Sequence, residues 1–428
     1  MAGCEGKVNR QATRFRSVVI FTWRARDLND DPRMLSFREA LDRIIENTPL
    51  LAMERCRLED AVGRVLRQNV TADRPFPAFD RVMMDGFALK SADWLAGQRI
   101  FRVTGSAPAG REQVVMADEP KTCVEVMTGA PCPLGADLIV PVEEMISMYA
   151  GEVRFSERSE QVPGRFIHRA GTDASDGQVL LEKGCLLGSP EIGVAASCGA
   201  AWLEVSCLPK IAVVATGDEL VSVDQTPAAH QIRQSNGHSI AAALTHAGYS
   251  PSSVSVLSDE VTEASPRLEK LLSENDWLIL TGAVSKGSRD FVPHLLGELG
   301  CRPLFHGVAQ RPGKPAGCWI APGGQMIIAL PGNPVSAITG LHAFVLPALA
   351  AASGLLQHKC RQVVMLDRMQ CLPEFTRHLP VSLSAEGRAE PANTGNSGDF
   401  IGLLKSDGFV TLPPRGNDTN VYPYTPWL

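Results

Sequence analysis

The chain has 428 residues, of which 44% are hydrophobic and 21% charged; this excludes a disordered polymer and is too long for one ordinary core, so two to four domains are expected. A formal net charge of −6 and 6% aromatic residues exclude a strong field for nucleic acid and a base-stacking platform. The 11 cysteines are odd in number, scattered and never spaced C-x-x-C, which excludes a disulfide framework or zinc site and predicts reduced thiols in a cytoplasmic protein.

Residues 1–33 carry Arg10, Arg14, Arg16, Arg24 and Arg26 around the short apolar run Val18 to Phe21. Of a targeting peptide, a disordered extension and an upstream start ahead of Met34, the last two fit better. The apolar run is short and no small-residue cleavage site follows it. From Met34 the spacing of Leu35, Phe37, Ala40, Leu41, Ile44 and Ile45 predicts an amphipathic helix, with Ser36 and Glu39 as a capping box. A second helical piece is predicted over Leu58 to Leu66. Pro75, Pro77 and the segment Phe79 to Gly86 then break the pattern. Residues 87–207 read as mainly β, because short apolar runs are split by Gly and Pro at short intervals.

At Pro209 strands and helices begin to alternate. Strands are predicted at Ile211–Ala215, Val254–Leu257, Trp277–Leu280, Pro303–Val308 and Met326–Leu330, separated by helices and followed by a long helix to about Ala352. Alternation of this kind predicts a doubly wound, mostly parallel α/β domain. From Gln362 the pattern is β again. The longest apolar stretch, Leu341 to Leu356, is interrupted by His342, Pro347 and Ser353, so no membrane span of about 18 residues is expected.

Chemistry-bearing residues recur just after the predicted strands. In an open parallel sheet such positions share the carboxyl edge, where ligands bind. Asp218, Glu219, Asp259, Ser285, Asp290, Arg311, Lys314 and Asn333 are therefore expected to converge. Crowded carboxylates favour a hard cation such as Mg²⁺, and cations on a Pro/Gly-stiffened loop favour an oxyanion. Asn333 and Pro334 suit the N-cap and first position of a helix whose free N–H groups could take a phosphate; a well-capped helix and nothing more is the equal alternative. Asp218, Glu219 and Asp259 could likewise simply cap helices.

The segments Phe79-Asp80 through Met84-Asp85-Gly86-Phe87-Ala88, Met127-Thr128-Gly129-Ala130-Pro131, Gly135-Ala136-Asp137, Thr216-Gly217-Asp218-Glu219-Leu220, Arg311-Pro312-Gly313-Lys314-Pro315 and Leu330-Pro331-Gly332-Asn333-Pro334-Val335-Ser336, in this order, resemble the molybdopterin molybdenumtransferase family, the MoeA and gephyrin E-domain group. The resemblance runs from about Met34 to the C-terminus. It implies a homodimer of four-part subunits: a linker domain of residues 34–70 and 164–208 whose N-terminal helix packs near the α/β domain, an inserted β-rich domain of 71–163, an α/β molybdopterin-binding domain of 209–355 and a C-terminal β domain of 356–428. It implies insertion of molybdate into adenylyl-molybdopterin with Mg²⁺-dependent release of AMP.

By motif, Glu219, Asp259 and Asp290 look like the acids that handle metal and activated phosphate, and Lys314 and Arg311 like the cations on the oxyanion. Thr216, Gly217, Asp218, Gly282, Ser285, Gly313, Pro331, Gly332, Asn333, Arg377 and Ser397 look like further substrate-binding positions. Asp85, Thr128 and Asp173 would complete the site of the partner subunit. The chain departs from the family pattern at Ala283, where a second glycine is usual, at Lys286, Arg289 and Arg311, at Arg81 to Met83, and at His168 and Thr172. A molybdopterin adenylyltransferase and a non-catalytic scaffold are the competing readings. The β-rich segments argue against the first and the crowded charges against the second.

Overall fold

The structure is a computed structural model and describes residues 34–285, 291–356, 360–392 and 394–428. The N-terminal extension and the expected site residue Asp290 lie outside the described residues, as do Lys286 and Arg289.

Helix Phe37–Asn47 opens on the capping box: Ser36 Oγ accepts from the Glu39 N–H at 3.3 Å and Glu39 Oε2 accepts from the Ser36 N–H at 2.8 Å. Its apolar stripe buries Ala40 and Ile44 against Ile211, Ile240 and Phe344, far along the chain. The second expected helix does not form. Only a single 3-10 turn, Leu58–Asp60, is present, and Val65 and Leu66 bridge to Leu186 and Val205. Gly63 sits at φ +77° between them, a left-handed conformation that ends a helix, and distant β partners then override the helical spacing.

Strand Met53–Arg57 pairs antiparallel with Trp202–Ser206 above a small core that includes Leu66, Leu187 and Leu203. Between them lies a six-stranded sheet in the order Leu138–Pro141, Gly86–Leu89, Thr122–Val126, Ile100–Ala107, Glu152–Phe155, Met145–Tyr149. Its second strand, Gly86–Leu89, sends Ala88 to one core and Phe87 and Leu89 to another. The period of two thus buries both faces. A short ribbon, Arg81–Val82 against Ile167–His168, projects beside this sheet.

The α/β domain has the predicted parallel strands side by side: Ser253–Leu257, Ile211–Thr216, Trp277–Thr281 and Met326–Leu330, followed by antiparallel Gly317–Ile320 and Arg302–His306. Strands Ile211–Thr216, Trp277–Thr281 and Met326–Leu330 are buried throughout, as a sheet covered by helices on both faces requires.

One predicted strand divides. Pro303–Val308 was expected as a single strand of this sheet, but the chain turns at Gly307, φ +95°. Arg302–His306 stays, while Val308–Arg311 leaves for a second, seven-stranded sheet. There it runs parallel to Leu35–Ser36 on one side and to Thr376–Leu383 on the other. The loop carrying Arg311 and Lys314 is therefore not on the carboxyl edge of the parallel sheet.

The long helix is continuous over Pro334–Ala352, with a π-type segment at Leu341–Val345. Contrary to expectation, its 19 residues are long and apolar enough to cross a membrane; 78% of its most apolar stretch is buried within the fold, which makes it a core helix here. His342 does not interrupt it, because its Nδ1 donates to the Ile338 carbonyl at 2.8 Å and its Nε2 accepts from the Leu428 N–H at 3.1 Å.

Candidate active site

A cavity of about 520 Å³ opens where the parallel strands end, lined by Thr216, Gly217, Glu219, Asp259, Gly282, Ser285, Pro331, Gly332 and Asn333 among others. Gly282 lets two strand ends come together, and Gly217 makes room for the Glu219 side chain of its own loop. At Gly217, φ +141°, a Cβ would fall 2.5 Å from Glu219 Oε2; at Gly282, φ +101°, it would fall 2.5 Å from Thr216 Oγ1. Ala283, beside Gly282, holds φ +48°, a left-handed conformation that costs an alanine roughly 1 kcal/mol.

Asn236, which the sequence analysis passed over, ties this rim. Its Nδ2 donates to the Gly332 carbonyl at 2.7 Å and to Thr281 Oγ1 at 3.1 Å, and Thr281 Oγ1 donates to the Pro331 carbonyl at 3.1 Å. The only signal for it is an Asn at the start of a helix that follows a polar segment. Asp218 is not among the cavity-lining residues. Its Oδ1 accepts from the Asp259 N–H at 3.0 Å and Ser258 Oγ at 3.2 Å, joining two strand-end loops rather than capping a helix.

Asn333 and Pro334 do occupy the N-cap and first position, but the Asn333 side chain does not cap. Its Nδ2 donates to Ser397 Oγ at 3.0 Å, and the Val335 N–H donates to the Ser397 carbonyl at 3.1 Å. The C-terminal domain thus takes up a helix terminus that sequence alone offered to a phosphate.

A second cavity, about 530 Å³, adjoins the first through Pro315, Pro331 and Asn333. Arg311, Gly313, Lys314, Ser336, Arg377, Thr394 and Ser397 line it. Arg311 and Arg377 are register partners on parallel strands. Arg311 Cζ and Lys314 Nζ lie 5.4 and 5.8 Å from the Phe375 ring centroid, so one aromatic face flanks both cations. Arg377 Nη1 donates to the Gln370 carbonyl at 3.2 Å. Among the described residues, no carboxylate lines this cavity. Glu219 and Asp259 border the first cavity with Arg233 beside them, while Arg311, Lys314 and Arg377 gather in the second.

Asp85, Thr128 and Asp173 line neither chamber. They are exposed in the β-rich part. Asp85 Oδ1 accepts from the Thr128 N–H at 2.7 Å and hydroxyl at 2.8 Å. The amide first and then the hydroxyl hold its carboxyl below the usual range. Asp173 Oδ1 contacts His168 Nε2 at 2.8 Å, and His168 Nδ1 contacts an Arg81 guanidinium nitrogen at 3.3 Å. A guanidinium only donates, so Nδ1 accepts and the Nε2–H donates to Asp173.

Ten cysteines are described and all are free. Burial pushes the Cys123 and Cys132 thiols up to about 12 and about 11, so neither is a ready nucleophile. Among the described residues, no group of three His, Cys, Asp or Glu side chains is arranged to hold a metal. Glu219 and Asp259 border the first cavity together, which fits a hydrated Mg²⁺ that needs only one or two carboxylates beside substrate phosphate oxygens.

Residues 35–199 match the MoeA N-terminal region (domain I and II), and residues 212–351 match a probable molybdopterin binding domain. A molybdopterin molybdenumtransferase of Synechocystis sp. is 34% identical over 385 residues, covering 89% of this chain and 96% of the relative. The chain belongs to the molybdopterin molybdenumtransferase family. It is therefore an enzyme of the transferase class. A second family member, from Synechococcus elongatus, is 35% identical over 395 residues, with 89% and 96% of the two chains covered. The fold is that of the solved MoeA protein of Pyrococcus horikoshii OT3, with a TM-score of 0.73 at 24% identity over 92% of this chain and 98% of that one.

Proposed function

We propose that this transferase inserts molybdenum from molybdate into adenylyl-molybdopterin and releases AMP. One observation carries the reading: two adjoining chambers, the first with Glu219, Asp259 and Arg233 at the strand ends, the second with three cations, three hydroxyls and no carboxylate among the described residues. Arg311, Lys314 and Arg377, with Ser336, Thr394 and Ser397, suit a tetrahedral oxyanion, since charge-assisted donors converge and no carboxylate opposes them. The strand-end chamber takes the pterin and its phosphoanhydride. Thr216, Gly217, Gly282, Ser285, Pro331, Gly332 and Asn333 shape it, and the absence of a Cβ at Gly282 keeps the rim close.

Glu219 and Asp259, with Asp290 from the motif, would hold Mg²⁺, which supplies Lewis-acid polarisation of the phosphoanhydride when bound. The chain's own contribution is positioning and electrostatic stabilisation, and no protein nucleophile is required. Asp85, Thr128 and Asp173 act on the partner's chambers in a homodimer, because they line neither chamber of their own chain. The reading places the enzyme in the cytoplasm, where its scattered thiols stay reduced.

The test gives purified protein adenylyl-molybdopterin, Mg²⁺ and molybdate and follows AMP. Molybdate-dependent AMP release is expected. Consumption of ATP with unmodified molybdopterin, or binding with no turnover, would overturn the reading in favour of an adenylyltransferase or a scaffold.

A further inference from the structure

The loop that presents Arg311 and Lys314 rests on a buried polar chain. Gln310 is wholly buried and His378 is 1% exposed. They sit on adjacent strands, directly before Arg311 and directly after Arg377, which are themselves register partners. Side chains alternate along a strand. Gln310 and His378 therefore face the interior, while the two arginines face the second chamber.

The hydrogen bonds run in one direction. Gln310 Nε2 donates to the Gly313 carbonyl at 3.2 Å, which leaves Gln310 Oε1 to accept from His378 Nε2–H at 3.3 Å. His378 Nδ1 then accepts from Thr411 Oγ1 at 3.2 Å. Phe37 and Phe409 stand edge-on to the imidazole, with centroids 4.7 and 5.3 Å away. Burial holds the His378 pKa down at about 3, so the ring stays neutral with one N–H. Gly313 lies between Arg311 and Lys314 at φ +93°, and a Cβ there would fall 2.8 Å from Gln310 Nε2. The loop is closed down on the Gln310 amide.

We propose that the Thr411–His378–Gln310 chain is a positioning device that sets where Arg311 and Lys314 stand relative to Arg377, and hence the fit of the oxyanion chamber. Gln310 and His378 act through the cations and do not touch the substrate. The inference rests on the reading of that chamber as the molybdate site. Its physical basis is that donors must be held within a few tenths of an ångström for an oxyanion to gain from all of them. A free Arg or Lys side chain would give up rotamer entropy at each binding event.

The test uses the full chain, molybdate as probe in equilibrium dialysis, steady-state kinetics and thermal melting. Gln310→Met keeps the length of the side chain and adds no charge, but has no N–H for Gly313 and no oxygen for His378. Thr411→Val removes the hydroxyl at the far end of the chain, and Thr411→Ser restores it. We expect Gln310→Met to weaken molybdate binding and raise KM for molybdate about tenfold, with kcat and KM for the pterin substrate within about twofold. Thr411→Val should show the same split at about threefold and Thr411→Ser should be close to wild type. Lys314→Ala should bind molybdate poorly. Wild-type binding by Lys314→Ala overturns the chamber assignment and this proposal with it. Loss in Lys314→Ala, with wild-type binding by folded Gln310→Met and Thr411→Val, overturns the positioning proposal alone. Should Gln310→Met not fold, the Thr411 pair decides.

Discussion

The two chambers are built by different means. The first lies at the ends of four parallel strands, and backbone and glycine do much of its shaping, with Glu219 and Asp259 on its border. The second lies on the flank of another sheet, and its character comes from side chains on one stiff loop and one neighbouring strand, Arg311, Lys314 and Arg377. In the second chamber the three cations meet no carboxylate among the described lining residues, which suits an oxyanion. Arg311 and Lys314 lean on Phe375, an aromatic neighbour. A ring supports cations without cancelling their charge.

That contrast can be broken most severely at its charged centres. Lys314→Ala is expected to cut molybdate-dependent AMP release by about two to three orders of magnitude, in the range of a lost transition-state donor, with an unchanged melting midpoint. Glu219→Gln should cut turnover similarly while leaving molybdate binding in dialysis intact. If both variants lost molybdate binding equally, the chambers would not be functionally distinct.

Subunit mixing tests the distant residues. Asp85→Asn and Lys314→Ala should each be nearly inactive alone. In a co-refolded mixture half the dimers are mixed, and each mixed dimer has one intact composite site, so about a quarter of wild-type activity should return. No recovery would place Asp85 in its own subunit's chemistry or in none.

Acid should loosen the support beneath the second chamber. His378 is buried and neutral, with its pKa held down at about 3 from an ordinary 6.5. Its folded pKa lies below the unfolded one, so the unfolded chain takes up the proton first. The contribution is complete above pH 6.5 and is lost as pH falls towards 3, at up to about 1.4 kcal/mol per unit. Urea midpoints between pH 7 and 5 should fall, and His378→Gln should flatten that slope.

The smallest effect is expected in the first chamber. Ala283→Gly should raise stability by up to about 1 kcal/mol, because glycine relieves the left-handed conformation but costs more chain entropy on folding. A loss of stability in urea melts would show that φ +48° is not strained there.

Much of the fold could be read from the chain. The capping box at Ser36 and Glu39 and the β-to-α alternation after Pro209 are local patterns set by hydrogen-bond geometry and side-chain period, and both appear as expected. The helix over Leu58 to Leu66 did not appear, because its spacing was equally compatible with β bridges to residues more than a hundred positions away. The apolar length of Pro334–Ala352 was underestimated, because His342 satisfies its own ring nitrogens inside the core.

Which residue types follow which strands is written in the chain order, so acids, glycines and a Pro-Gly-Lys loop had to stand at element ends. Local propensity and polarity suffice for that. Long-range packing settled that the chain leaves the parallel sheet at Gly307, that Arg311, Lys314 and Arg377 share a chamber without carboxylates among the described residues, and that the Ser397 carbonyl meets the Val335 N–H. Those outcomes depend on which distant strand offers the better hydrogen-bonding edge and the better burial, and no window of the sequence contains that competition.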